Sequence, residues 1–156
     1  MSESWDNYFM RMAYLVASKS KDTSMKCGCV IVGDGHSVLT TGYNGFPRHC
    51  NDEITSRYER PEKYAFTEHA ERNSIYSAAR NGVKLLNSTA YSTSFPCVDC
   101  ARAIVQSGIV AVVTPTKETD PFFLESRWDD WAESFAKSRI IMQEGYVTMR
   151  EIKYVI

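Results

Sequence analysis

The sequence predicts an α/β fold: one three-layer α/β/α domain, spanning residues 1–156, in which helices flank a mixed sheet of about five strands. Three observations support this prediction. Amphipathic helical segments alternate with short apolar strands along the chain. A length of 156 residues suits a single domain with its own core. Helices that connect the later strands would make those strands parallel.

The first third of the chain predicts one helix and a β-hairpin. Apolar residues recur at helical spacing in the opening segment and stop before a polar stretch at 18–22: Trp5, Phe9, Met12, Ala13 and Val16. The apolar run Cys29–Val32 and the segment 37–43 flank Asp34-Gly35, a pair typical of hairpin turns. From Asn44 to Phe66 we expect a long loop, and long loops often bind ligands.

The rest of the chain predicts three helices and three strands. Thr67 is the expected N-cap of a helix that runs to Asn81 and is followed by Gly82. Pro96 suits the first turn of the next helix, which Gly108 would close. The remaining expected elements are a strand at 89–93, a strand at 109–113, a helix at 127–144 and a last strand within 146–156. Trp128, Trp131 and Phe135 lie at helical spacing and should pack in the core or against another subunit.

Composition narrows the classes of partner and compartment. Eighteen basic and 19 acidic residues give a net charge of -1, which disfavours nucleic acid and anionic membranes as partners. The N-terminal segment has no secretory-signal pattern and no stretch is apolar enough to span a membrane, so a cytoplasmic protein is expected. Five cysteines with irregular spacing favour free thiols and a metal site over disulfides.

Two short motifs have the residue types of a catalytic zinc site. Cys97 and Cys100 are three residues apart in a predicted helical turn, so both sulfurs can reach one ion, and His69 can supply a third ligand. Zinc that is held by three protein ligands keeps its fourth position open for water, which is typical of catalytic sites. We therefore predict one catalytic Zn²⁺ per chain.

Glu71 is the predicted proton carrier beside this ion. It follows His69 by two residues, a spacing that turns the two side chains of a helix in different directions. A carboxylate there can accept a proton from water and deliver it to ring N3 and to a departing amine. His-x-Glu followed by Pro-Cys-x-x-Cys is the pattern of zinc deaminases that act on nucleobases. The motifs thus predict replacement of the exocyclic amine of cytosine by oxygen.

Three longer segments carry a family resemblance over roughly residues 5–115: TGYNGFP, TEHAERNSIYSAARNG and AYSTSFPCVDCARAIVQSGI. In them the sequence resembles the deoxycytidylate deaminase family of the cytidine deaminase superfamily. The resemblance implies a cytidine-deaminase-like fold and conversion of dCMP to dUMP and ammonia, which feeds thymidylate synthesis. The GYNG segment, residues 42–45, separates this branch from transfer RNA adenosine deaminases.

The resemblance also implies roles for residues around the zinc site. Asn44 would hold the sugar hydroxyl region, the backbone of Ala70 would contact cytosine, and Ser94 would contact the leaving amine. The implied pocket walls are Tyr91, Thr93 and Phe95, and the implied phosphate contacts are Lys26 and Lys117. Many members have Tyr-Arg after the fourth strand, whereas this chain has Thr114-Pro115-Thr116-Lys117, a departure at the phosphate contact.

Assembly and regulation are implied in the same way. Members of the family are commonly homohexamers that dCTP activates and dTTP inhibits. The implied effector contacts are Gly42, Tyr43, Asn44 and Gly45, with a Mg-nucleotide as an effector form.

Several alternatives stay open. The same zinc chemistry serves deaminases of other cytosine nucleotides or nucleosides, of transfer RNA adenosine and of the riboflavin pathway, and a zinc-stabilised binding module needs no catalysis. A second zinc site could form from Cys27, Cys29, His49 and Cys50, although buried packing is the commoner role of such cysteines. The mixed-charge stretch 57–63 is expected to be a solvated loop that could close over substrate.

Overall fold

The computed structural model describes residues 2–120 and 128–154 and contains a five-stranded mixed sheet. The strands are β1 (Gly28–Val32), β2 (Val38–Tyr43), β3 (Thr89–Ser92), β4 (Ala111–Pro115) and β5 (Thr148–Ile152). The helices are α1 (Trp5–Ala17), α2 (Lys63–Phe66), α3 (Ala70–Asn81), α4 (Val98–Gln106) and α5 (Trp128–Glu144).

The strand order is β2-β1-β3-β4-β5, in which β1 pairs antiparallel with β2 and β3, while β4 pairs parallel with β3 and β5. This arrangement confirms the predicted mixed sheet with parallel later strands.

Both faces of the sheet are covered, as the alternation of side chains along β1 shows. Cys29 and Ile31 belong to the core cluster that lies beneath α3, α4 and α5. Val30 and Val32 point to the opposite face and join the cluster formed with Phe9 and other residues of α1. A strand that is buried on both faces has a continuous apolar sequence. The three-layer prediction is therefore confirmed, with one helix on one face and three on the other.

Helix α3 begins later than the sequence predicts. The N-cap position belongs to His69, whereas Thr67 follows the end of α2 as its C-cap residue. Glu68 forms a two-way backbone bridge with Gly45, with N–O distances of 2.8 and 3.0 Å, and this pairing keeps the residues before Ala70 extended. The end of α3 agrees with the prediction, because Gly82 adopts a left-handed φ of 68°.

The expected loop from 44 to 66 contains more structure than predicted. A 3₁₀ turn at Thr55–Tyr58 and the helix α2 interrupt it. Phe46 stacks on Tyr58 with ring centroids 4.5 Å apart and lies 5.7 Å from Phe66, so the segment has an aromatic core of its own.

Two sequence predictions extend past the described residues. The predicted start of the last helix at Arg127 lies outside them, as do residues 155–156 of the predicted last strand. Within the described residues, no helix combines the length and apolar character that crossing a membrane requires.

Candidate active site

Three side chains with metal-binding atoms meet where two helices begin. His69 occupies the N-cap position of α3, Cys97 occupies the N-cap position of α4, and Cys100 lies in the first turn of α4. The Nδ1 atom of His69 is 3.4 Å from Cys97 Sγ and 3.6 Å from Cys100 Sγ. The three ligand atoms lie within 4.8 Å of one another. Across residues 2–120 and 128–154, no other group of three or more His, Cys, Asp or Glu ligands is this close together.

The donor set fits zinc. The pKa of the Cys97 thiol is lowered to about 4, first by a hydrogen bond from the Cys100 thiol and further by His69. The same pairing, together with burial, raises the pKa of Cys100. Sulfur and imidazole nitrogen are the ligands of zinc, and helix N-termini favour thiolate over thiol. Three protein ligands leave one coordination position open for chemistry.

Glu71 lies directly beside this metal centre, in the first turn of α3. Its side chain is buried; Oε1 accepts a hydrogen bond from Ser92 Oγ at 3.1 Å, and Oε2 is 3.6 Å from Cys100 Sγ. Burial raises the pKa of Glu71, and the negative charge of Cys97 adds to that effect. A buried carboxylate with a raised pKa beside an open metal position suits proton transfer.

A cavity of about 310 Å³ opens onto the centre. His69, Ala70, Glu71 and Cys97 form the part next to the metal ligands. The remaining wall comes from residues 22–27, from Asn44, from residues 60–67 around α2, from α3 and α4, from residues 94–95 and from α5. Its residues are Asp22, Met25, Cys27, Asn44, Arg60, Lys63, Tyr64, Thr67, Arg72, Ser94, Phe95, Asp99, Trp131 and Phe135. The volume suits a small organic ligand.

Four of the predicted substrate contacts line this cavity: Asn44, Ala70, Ser94 and Phe95. Asn44 also has a structural role, because its Oδ1 accepts from the Cys27 N–H at 2.7 Å and its Nδ2 donates to the Met25 carbonyl at 2.9 Å. Its amide therefore fixes the approach to β1 as well as facing the cavity.

Tyr91 and Thr93 do not line the cavity, which corrects the expectation that they form its walls. The Tyr91 ring is on the α1 side of the sheet, 5.1 Å from Phe9, and its hydroxyl donates to Asp6 at 2.8 Å. Thr93 is buried and accepts a hydrogen bond from Gly28 N at 3.0 Å. Both residues join structural elements, and neither belongs to the cavity lining.

The predicted phosphate contacts also lie elsewhere. Lys26 and Lys117 are exposed, and neither lines the cavity. Within the described parts of the chain, the cations that line it are Arg60, Lys63 and Arg72. Arg60 and Lys63 belong to the stretch that the sequence presents as a solvated mixed-charge loop, and no spacing rule links that stretch to the zinc motifs.

Helix α5 contributes to the site in a way that helical spacing alone does not reveal. Trp131 lines the cavity with its ring centroid 5.9 Å from that of His69, and Phe135 is both a core and a cavity residue. The side chain of Trp128, predicted on the same stripe, lies outside the described residues. Core packing is confirmed for Phe135, and Trp131 packs against the same core cluster while also facing the site.

The GYNG segment packs against the start of α3. A Cβ on Gly42 would lie 2.3 Å from Ser74 N and 2.5 Å from the Ala70 carbonyl oxygen, so only glycine allows this approach. Tyr43 is exposed, and Gly45 forms the backbone bridge with Glu68. The segment therefore positions the zinc-binding end of α3, and its role in regulation stays a prediction.

The second set of potential metal ligands is not assembled. Cys29 is buried, Cys27 is half-buried at the cavity wall, and Cys50 is exposed. None of these three residues joins His49 in a group of three ligands within the described part of the chain. The packing role expected for the buried cysteine is the one that the structure shows.

Comparison with known proteins gives concordant matches. The family described as "Cytidine and deoxycytidylate deaminase zinc-binding region" matches residues 3–116. Human deoxycytidylate deaminase is 32% identical over 152 residues, which cover 94% of this chain and 79% of the human protein. A probable deoxycytidylate deaminase of Drosophila melanogaster is 37% identical over 95% of this chain and 72% of its own length.

The fold also matches solved structures. The dCMP deaminase of the cyanophage S-TIM5, crystallised with dCMP and dUMP, superimposes with a TM-score of 0.72 at 24% identity. The match covers 97% of this chain and 99% of the phage chain. It shows that the two proteins share one fold over nearly their whole lengths.

Proposed function

The chain belongs to the cytidine and deoxycytidylate deaminase family, and on this premise we propose that it is a zinc-dependent enzyme that converts dCMP and water to dUMP and ammonia. The observation that carries the proposal is the three-ligand centre of His69, Cys97 and Cys100 with Glu71 beside it at one end of a cavity. Relatives named deoxycytidylate deaminase that align over 94–95% of the chain support dCMP as the substrate.

In the proposed reaction Glu71 transfers protons between water and the cytosine ring, and Ser92 orients Glu71. Zinc, when bound, supplies Lewis-acid activation of water near neutral pH. Ser92 holds Oε1 of Glu71, so Oε2 is the oxygen that faces the metal ligands and receives the proton of the attacking water. Glu71 then delivers that proton to ring N3 and assists the departure of the C4 amine as ammonia.

The cavity walls orient the base and limit access of water. Phe95, Trp131 and Phe135 supply aromatic surface beside the metal ligands, which suits a planar pyrimidine ring. Ser94, which lines the same cavity, is the proposed contact of the leaving amine.

A parallel substrate assay tests this function. Ammonia release is measured from dCMP, dCTP, deoxycytidine and cytidine, and from a transfer RNA substrate, together with the zinc content per chain. We expect one zinc per chain and the highest kcat/KM for dCMP. A preference for unphosphorylated nucleosides would reject the nucleotide assignment. One bound zinc without release from any substrate would indicate a zinc-stabilised binding module.

Assembly and regulation are proposed on the strength of the family resemblance. The chain, proposed to be one domain over residues 1–156, is proposed to form a cytoplasmic homohexamer that dCTP activates and dTTP inhibits through residues 42–45. Light scattering gives the mass of the assembly. Titration of activity with each nucleotide, with and without Mg²⁺, tests the effectors and the metal-nucleotide form.

A further inference from the structure

The segment that carries Arg60 and Lys63 is anchored to the cavity wall by a buried ion pair. Lys63 Nζ is 2.7 Å from Asp22 Oδ2 and 2.7 Å from Ser24 Oγ. The side chains of Lys63 and Asp22 are only 10% and 3% exposed. This attachment joins α2 to the chain just before β1, so the residues near Lys63 have a defined position at the cavity.

Arg60 differs from the other cations that line the cavity. Arg72 is engaged by Glu68 through two hydrogen bonds of 2.6 and 3.1 Å and by Asp99 at 3.5 Å, and Lys63 is engaged by Asp22. Arg60 has no carboxylate within ion-pair distance among residues 2–120 and 128–154. Among the described residues that line the cavity, it is the cation without a carboxylate partner, so its charge can serve a ligand.

The guanidinium of Arg60 is also oriented. Its Nε donates to the Tyr64 hydroxyl at 2.8 Å, so the two terminal nitrogens remain to donate to a ligand. Arg60 is exposed, whereas Glu71 and Cys97 are buried. A nucleotide whose base reaches Glu71 therefore places its charged end toward the open side, where Arg60 lies. A pair of guanidinium nitrogens matches two phosphate oxygens.

We propose that Arg60 is the specificity-determining contact for the 5′-phosphate of the substrate, held in place by Tyr64 and by the anchor of Lys63 on Asp22. The proposal rests on the nucleotide deaminase function given above. It assigns the phosphate contact to the segment before α2 and not to Lys26 or Lys117, which do not line the cavity.

Paired kinetics on dCMP and deoxycytidine test the proposal. Loss of charge-assisted hydrogen bonds to phosphate should lower the kcat/KM ratio of dCMP to deoxycytidine roughly 10-fold to 100-fold in Arg60→Ala. Arg60→Lys keeps the positive charge but loses the paired guanidinium nitrogens, so its kcat/KM ratio should lie between those of Arg60→Ala and the wild type. Arg57→Ala is the matched control, because this substitution removes the same charge at a position outside the cavity. The Arg57 guanidinium lies over the Phe66 ring, 4.3 Å from its centroid.

Calorimetric binding of dUMP and deoxyuridine separates this proposal from the proposed function. We expect Arg60→Ala to weaken dUMP binding by the same factor and to change deoxyuridine binding far less. An unchanged substrate ratio, equal losses on both substrates, or an Arg57→Ala effect equal to that of Arg60→Ala would overturn the assignment. If the wild type releases no ammonia yet binds dUMP in an Arg60-dependent way, the deaminase function fails while the phosphate contact stands.

Discussion

Ser92 at the end of β3 donates a hydrogen bond of 3.1 Å to Glu71 in the first turn of α3. Both side chains are buried, so the bond is shielded from competition by bulk water. It fixes one carboxylate oxygen and leaves the other toward the metal ligands, where Oε2 lies 3.6 Å from Cys100 Sγ. The central sheet thus sets the orientation of the group that is expected to carry the proton.

Replacement of Glu71 by Gln should abolish most turnover while zinc stays bound. An amide of the same shape cannot accept the proton, so kcat for dCMP should fall roughly 10²-fold to 10⁴-fold. The ligands His69, Cys97 and Cys100 are unchanged, so the zinc content should stay at one per chain. The measurements are dUMP formation and metal analysis on one preparation. Glu133→Gln, at an exposed position on α5, is the control and should have the turnover of the wild type. Turnover retained in Glu71→Gln would refute the role of Glu71 as proton carrier.

Removal of the Ser92 hydroxyl tests the orientation of Glu71 separately from its chemistry. Ser92→Ala should lower kcat about tenfold, because a hydrogen bond to a charged group contributes about 1.5 kcal/mol or more. KM should change less, since Ser92 does not line the cavity. Ser18→Ala, at an exposed helix end, controls for loss of a hydroxyl. A loss confined to KM would show that Ser92 shapes substrate binding and not the proton carrier.

The metal centre could be predicted because its ligands are set by local spacing. His69 and the pair Cys97 and Cys100 each lie at a helix start, and a helical turn brings the two sulfurs together wherever the helix lies. The helices and strands that the sequence predicts up to β4 follow from periodicity, which is also a local property, although the predicted N-cap of α3 lies two residues before the observed one, His69. The bridge of Gly45 with Glu68, which shortens the helix, is a tertiary contact that no local pattern reveals.

The pocket walls were partly wrong for a reason that alternation along β3 explains. Ser92 faces Glu71, and side chains of a strand alternate, so Tyr91 must face the other side of the sheet. The alternation of side chains along β3 therefore predicts the side of the sheet on which Tyr91 lies, provided that Ser92 is known to face Glu71. No sequence pattern predicts that Arg60 and Lys63 line the cavity. Their position depends on the ion pair of Lys63 with Asp22, which lies 41 residues earlier in the chain.

Ser138 on α5 should be needed for tight zinc binding. Its hydroxyl donates to the Pro96 carbonyl at 2.8 Å, and Val98 N donates to Ser134 Oγ at 3.0 Å, so α5 holds the segment around Cys97 on both sides. Ser138→Ala leaves a buried carbonyl without this donor, which should cost about 1 to 3 kcal/mol of unfolding free energy.

Chelator competition gives the second measurement on Ser138→Ala. We expect zinc to dissociate faster than from the wild type, because the backbone that carries Cys97 is less constrained. Ser107→Ala is the control: Ser107 also donates to a carbonyl, that of Ile104, but lies at the far end of α4. Equal zinc loss from both variants would assign the effect to general destabilisation.

The ion pair of Asp22 with Lys63 should make stability depend on pH. Burial opposes ionisation of Asp22, but hydrogen bonds from Lys63 and Ser24 outweigh it and hold the pKa of the carboxyl below its ordinary value. A carboxyl with a lowered pKa in the folded state stabilises the fold above its unfolded pKa of about 3.9 and loses this contribution as pH falls through the folded value. The difference in unfolding free energy between the wild type and Asp22→Asn should therefore be largest near pH 7 and shrink below about pH 4.

Urea unfolding at a series of pH values from 7 to 3 measures the difference in unfolding free energy between the wild type and Asp22→Asn. Zinc is lost in acid from both proteins, so its effect largely cancels from this difference. Asp34→Asn, in the exposed turn between β1 and β2, controls for removal of a carboxyl. Lys63→Met should destabilise the protein by about 3 to 5 kcal/mol at pH 7, because it leaves Asp22 buried without its counter-charge. The Asp22→Asn, Lys63→Met double variant should recover part of that loss. A difference that stays constant across the pH range, or a double variant no more stable than Lys63→Met, would show that the pair does not anchor the segment that carries Arg60.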